Sequence, residues 1–123
     1  MSRLTVLVVI EDDADYRRLI RLMLAGDERL DVNGEAATAE QALPLARATQ
    51  PQLIVLDHFI DGPVMGLELA PSLKAAAPGA AILLFSTHDL AVEAAREPAV
   101  DRFLHKSDLA LLLPTVRDML GLT

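Results

Sequence analysis

Cysteine is missing from all 123 residues, which excludes disulfides and thiolate metal sites. Tryptophan is missing too. Three Phe and one Tyr are the whole aromatic complement, so any core must be built from Leu, Val, Ile and Ala. Positive charge is scarce: 11 Lys and Arg stand against 18 Asp and Glu, for a net charge of −7. That balance argues against direct nucleic-acid binding, which needs clustered Lys and Arg. No apolar run approaches the roughly 18 residues that span a bilayer, so no membrane partner is expected. Met1-Ser2-Arg3 leads straight into an apolar stretch that is too short for a signal peptide and lacks its small-residue cleavage site. A cytoplasmic protein is the expectation.

What is present alternates in period. Residues 4–10 form a continuous β-branched apolar run, as a strand buried on both faces of a parallel sheet requires. Tyr16, Leu19, Ile20, Met23 and Leu24 then recur at helical spacing, with Gly26 as a stop. A weak strand over 31–37 precedes a helix over 39–49, capped by Thr38 and followed by Pro51. A strand over 52–56 delivers Asp57 at its end. A loop with Gly62, Pro63 and Gly66 leads to a helix over 67–76, closed by Pro78-Gly79. A strand over 80–85, an Ala-rich helix over 89–96 and a short strand over 100–104 follow. Leu109, Leu112, Leu113, Val116 and Leu120 mark a last helix, in which Pro114 predicts a kink. Five β-then-α units without repeats or a linker predict one domain over 1–123. Its fold class is α/β, a three-layer sandwich with helices on both faces of a mostly parallel sheet.

Ligands of such sheets bind beyond the carboxyl ends of the strands. Those ends read Glu11-Asp12-Asp13, Asp57, Ser86-Thr87 and His105-Lys106. Carboxylates gathered within about 4 Å repel by roughly 4 kcal/mol per pair at a surface-like dielectric. The cluster therefore calls for a cation or a raised pKa, and hard oxygen ligands suit Mg²⁺. A carboxylate run after a strand also favours a helix N-terminus, and Asp13 is expected to cap the first helix. His58 and His105 adjoin Asp57 and Lys106, but neighbours along a strand face opposite ways, so both rings should point away from the pocket. His88 lies in the loop after Ser86, where it could influence access.

Four stretches together resemble the receiver domains of bacterial response regulators. Val8-Val9-Ile10-Glu11-Asp12-Asp13 is similar to their acidic pair and Leu53-Ile54-Val55-Leu56-Asp57 to their phosphoacceptor strand. Leu83-Leu84-Phe85-Ser86-Thr87 resembles the switch strand and Phe103-Leu104-His105-Lys106 the strand with the aromatic and the lysine. The resemblance implies a doubly wound, flavodoxin-like five-stranded sheet of order 2-1-3-4-5. It implies that Asp57 is the phosphoacceptor, with Lys106 and Ser86 handling the phosphoryl group. Asp12, Asp57 and the Phe59 carbonyl would bind Mg²⁺, with Glu11 acting directly or through water. Ser86 and Phe103 would switch the surface of helix four, strand five and helix five. The implied partners are a histidine kinase or histidine phosphotransfer protein and a downstream protein target, with homodimerisation on phosphorylation also allowed. The chain would be a phosphoacceptor rather than an enzyme, beyond slow self-catalysed phosphotransfer and dephosphorylation.

Three departures stand against the family pattern. Ile60 and Asp61 occupy the usual Met-Pro positions, with Pro63 and Gly66 arriving as if one residue were inserted. Ser107 replaces the usual Pro after the lysine, and Asp101 stands where a Gly-Ala pair is common. A degenerate, phosphate-independent interaction module is the alternative these departures leave. An aspartyl-phosphate phosphatase of the haloacid dehalogenase type would need a second Asp where Phe59 stands. FMN binding would be repelled by Glu11-Asp12-Asp13.

Overall fold

A computed structural model describes residues 3–9 and 13–122. Five parallel strands, β1 Leu4–Val9, β2 Leu30–Ala36, β3 Leu53–Leu56, β4 Ala81–Ser86 and β5 Arg102–His105, form one sheet of order β2-β1-β3-β4-β5. The helices are α1 Ala14–Leu24, α2 Ala39–Thr49, α3 Gly66–Ala76, α4 Ala91–Ala95 and α5 Leu112–Met119. Among the described residues no helix is long and apolar enough to cross a membrane.

The continuous apolar runs have a simple cause, because alternate residues of each strand serve opposite faces. Leu7, Val9, Ile54, Leu56, Ile82 and Leu84 pack with Ala42 and Ala46 of α2 and with Leu69, Ala70 and Leu73 of α3. Val6, Val8, Leu53, Val55, Leu83 and Phe85 pack with Ile20 and Leu24 of α1 and with Leu112 and Val116 of α5. Each fully buried aliphatic side chain of β3 contributes roughly 2 kcal/mol, so the four together fix that strand, and Asp57 after it, against both layers. The expected three-layer arrangement is present.

Several boundaries differ from the sequence expectation. The last helix begins later: Lys106–Leu111 is a 3-10 turn, with Asp108 at φ −98°, ψ 38°, and α5 starts at Leu112. Pro114 therefore sits in the first turn, where an amide would lack a helical partner, and it causes no kink. β5 starts at Arg102 rather than residue 100. Asp101 explains this, because its carboxylate accepts Ile82 N at 2.8 Å and Lys74 Nζ at 2.8 Å, while its own amide donates to Ile82 O at 2.9 Å. α4 covers only Ala91–Ala95. The caps hold as expected: Asp13 Oδ1 accepts Tyr16 N at 3.0 Å, and Thr38 Oγ1 accepts Gln41 N at 3.1 Å.

Candidate functional site

Asp57 follows the last residue of β3, and its amide donates to Val9 O at 2.8 Å, extending the β1–β3 ladder past the strand. The side chain lies at the sheet's carboxyl edge and is only 1 % exposed. Oδ1 accepts Phe59 N at 3.2 Å, and Oδ2 accepts Lys106 Nζ at 2.7 Å. Lys106 comes from the residue after β5, two strands away, so two strand ends, of β3 and β5, bring this pair together. Ser86 ends β4 between them; it is fully buried, and its Oγ accepts His88 N at 3.2 Å. A carboxylate this deep is costly to desolvate, and an ammonium in contact offsets much of that cost.

The loop after Asp57 takes its extra residue without disturbing the strand end. Ile60 is buried in the core, and Asp61 N donates to Ala37 O at 2.9 Å, a one-residue parallel bridge beside β2. Gly62 at φ +102° makes the turn that a side chain would strain. Gly66 then seats α3 on the end of β3: its amide donates to His58 O at 2.7 Å, and a Cβ there would lie 1.9 Å from Asp57 O. Sequence reasoning saw Gly66 as a loop residue and, against the family pattern, as a glycine arriving one residue late, but not the contact it makes. The clash that forbids a side chain is between backbones brought together by the fold, and no local pattern announces it.

The histidines have structural work. His58 Nδ1 accepts Leu67 N at 3.2 Å at the start of α3, and His105 Nδ1 accepts Ser107 N at 3.0 Å at the start of the 3-10 turn. Burial pushes His58 below the usual imidazole range, although Asp57 and Glu68 pull the other way. The neutral ring suits its acceptor role. The Phe59 ring meets His58 edge-on at 4.9 Å between centroids and tilts against His88 at 4.6 Å. Phe103 is half-buried against the α2–α3 side of the core. Tyr16, read from sequence only as a helix core position, lies under Lys106: the ammonium is 4.6 Å from its ring centroid.

Glu11 and Asp12, expected at this edge, lie outside the described residues. Among the described residues no group of three or more His, Asp or Glu side chains is placed to hold a metal. Asp57 and the Phe59 backbone are the described members of the expected Mg²⁺ set, and both offer hard oxygen. A cavity of about 340 Å³ lies at the other end of the sheet, between Arg3, Arg21, Asp27 and Asp31. It contains none of the expected residues.

Comparison with known proteins agrees with this arrangement. A family model for the response regulator receiver domain matches residues 7–117. A protein-glutamate methylesterase/protein-glutamine glutaminase of Halalkalibacterium halodurans is 37% identical over 97% of this chain, which covers 35% of that protein. The chain thus spans about a third of that relative's length. Among solved structures, a two-component response regulator of the LuxR family from Aurantimonas sp. SI85-9A1 superposes with a TM-score of 0.85 at 27% identity, covering 98% of this chain and 88% of that one. The response regulator domain of Thermotoga maritima CheB has the same fold, with a TM-score of 0.81 at 20% identity and 98% of each chain covered. With its order 2-1-3-4-5 sheet and a family match over nearly its whole length, the chain belongs to the response regulator receiver domains.

Proposed function

We propose that residues 1–123 act as one receiver domain. Asp57 accepts a phosphoryl group from a histidine kinase or histidine phosphotransfer protein, and the modification controls a downstream protein. The observation that carries this reading is the buried Asp57–Lys106 pair at 2.7 Å, beside the buried hydroxyl of Ser86. A phosphate-independent interaction module has no need of a buried carboxylate held by a single mobile ammonium, since burying it costs several kcal/mol before any pairing.

A carboxylate oxygen of Asp57 forms the new bond to phosphorus as the donor's P–N bond breaks. The imidazole nitrogen keeps that electron pair and takes a proton. Positioning and charge neutralisation are most of what the transfer needs. Lys106 shifts from Oδ2 to a phosphoryl oxygen without leaving the pocket, and Ser86 donates its hydroxyl to another. Asp57, Asp12 and the Phe59 carbonyl, with Glu11 directly or through water, would form the donor set for Mg²⁺. When bound, the ion neutralises phosphoryl oxygens. Movement of Ser86 and repacking of Phe103 then shift the populations of the α4, β5 and α5 surface. Because the curated relatives are protein-glutamate methylesterases/protein-glutamine glutaminases, an effector of that class, on the same chain or another, is the output to test first.

The test is intact-mass analysis after incubation with acetyl phosphate and Mg²⁺, beside an Asp57→Asn control. One added phosphoryl group, absent from the control and without metal, is expected. If wild type stays unlabelled and also fails to bind beryllofluoride, the phosphoacceptor reading is wrong and the interaction module takes its place.

A further inference from the structure

Lys106 carries its charge on a flexible four-carbon stem with three rotatable donors. Something must keep it over Asp57 when its partner changes from a carboxylate oxygen to a phosphoryl oxygen. The ammonium has a second neighbour that the phosphoacceptor chemistry leaves unused. It lies 4.6 Å from the centroid of the Tyr16 ring, inside the roughly 6 Å reach of cation–π attraction. The Lys106 side chain is only 16% exposed, and such attraction strengthens as water is removed.

Tyr16 is itself held through its backbone and through its ring. Asp13 Oδ1 accepts Tyr16 N at 3.0 Å, which sets the first turn of α1. On its inner side the ring stacks on Phe85, with centroids 6.4 Å apart and planes 25° from parallel. Phe85 is fully buried and directly precedes Ser86 on β4. One aromatic stack thus ties α1, the Ser86 strand and the Lys106 ammonium together. Burial, then the charges of Asp57 and Asp13, push the phenol further above its ordinary range, so the ring stays neutral at any working pH.

We infer that Tyr16 is a positioning residue for Lys106: its ring face holds the ammonium at the Asp57 carboxylate and limits its swing to the arc that phosphoryl transfer requires. The inference rests on the phosphoacceptor reading. It assigns the work to the ring face and none to the hydroxyl, so the two can be separated.

The test compares wild type, Tyr16→Phe, Tyr16→Leu and Tyr16→Met in initial rate of labelling by acetyl phosphate with Mg²⁺. Tyr16→Phe should stay within about two-fold of wild type, and the two aliphatic variants should fall roughly three- to ten-fold. Tyr16→Met guards against a folding defect in Tyr16→Leu, with thermal unfolding measured for both. In a Lys106→Ala background Tyr16→Leu should cost nothing further, because the two residues act as one unit. By NMR, the methylene protons next to the Lys106 ammonium should show a ring-current shift that Tyr16→Phe keeps and the aliphatic variants lose. The inference is overturned if folded Tyr16→Leu or Tyr16→Met labels at the wild-type rate, if Tyr16→Phe is as slow as they are, or if the losses add in the double mutant. Failure of wild type both to label and to bind beryllofluoride would instead remove the phosphoacceptor reading and the inference with it, while the NMR shift would still report whether the contact exists.

Discussion

Two buried aspartates sit at opposite ends of this sheet, and their surroundings differ in kind. Asp27, in the turn before β2, is 5% exposed. Its Oδ1 accepts the Arg29 amide and Nε at 2.9 Å each; its Oδ2 accepts Arg29 Nη2 at 2.7 Å and Arg117 Nε at 2.9 Å. Four donors from two rigid guanidinium groups and a backbone close this carboxylate and staple the α1–β2 turn to α5. Asp57 is buried more deeply, yet its described donors are one amide at 3.2 Å and one ammonium at 2.7 Å. Arginine's planar fork saturates a carboxylate, whereas lysine's single point charge on a long stem can be handed on. Burial and pairing alone therefore do not distinguish a functional carboxylate. On the proposed reading, the number and mobility of its donors do.

The sharpest way to break this comparison is to remove each charge in turn. Asp57→Asn should abolish labelling while leaving a folded protein. Asp27→Asn should leave the labelling rate within about two-fold of wild type and lower the thermal midpoint, because its effect is confined to the staple. Paired intact-mass and thermal unfolding measurements decide it; loss of labelling in Asp27→Asn with the fold intact would mean that the two ends are coupled. Next in size is Lys106. Lys106→Ala should slow labelling by about 10²-fold, the usual cost of one preorganised electrostatic donor. Lys106→Arg should recover little of that, since a planar fork cannot follow the moving oxygen. Full recovery by Arg would show that charge alone suffices.

Gly66→Ala probes the support of the site rather than its charge. Its Cβ would press within 1.9 Å of the Asp57 carbonyl oxygen, so α3 or the strand end must give way. A loss of about 3 kcal/mol in chemical denaturation is expected, with slower labelling in the fraction that remains folded. Gly79→Ala is the control, since a Cβ there meets nothing within 4 Å.

How much of this was legible in the sequence follows from what each feature depends on. The strands were readable because Val6–Val9 and Leu53–Leu56 are buried on both faces, which forces unbroken apolar runs. Asp57, Ser86 and Lys106 were readable as strand-end residues, because a parallel sheet places every strand end at one edge. β2 was faint for a physical reason: its register with β1 shifts between Val6 and Leu7, and Asn33-Gly34 falls where the ladder slips. Pro44 and Pro71 lie inside α2 and α3, so local propensity was overridden there by tertiary packing. The start of α5 was misread because Leu109 keeps the helical spacing through a 3-10 turn that only the backbone angles reveal. Tyr16 and Gly66 were missed for a deeper reason: each matters through a contact with a residue more than eight positions away, and spacing carries no trace of it.

The smallest expected effect, and the one that tests the staple most directly, is a pH dependence. Hydrogen bonds from Arg29 and Arg117 hold the Asp27 carboxyl well below the usual carboxylate range. In the unfolded chain the same group titrates near pH 4. The folded state thus binds its proton less readily, so the stabilisation Asp27 supplies is complete above that pH and is lost as pH falls toward the folded value. Unfolding free energy measured by denaturant between pH 7 and pH 3 should fall for wild type, and the fall below about pH 4 should be shallower for Asp27→Asn, which has no proton to bind there. Arg117→Lys should lie between them, because it keeps the charge but loses the fork that reaches Oδ2. If wild type and Asp27→Asn lose stability in parallel through the acid range, Asp27 is not a closed staple, and donor number does not separate the two ends of this sheet.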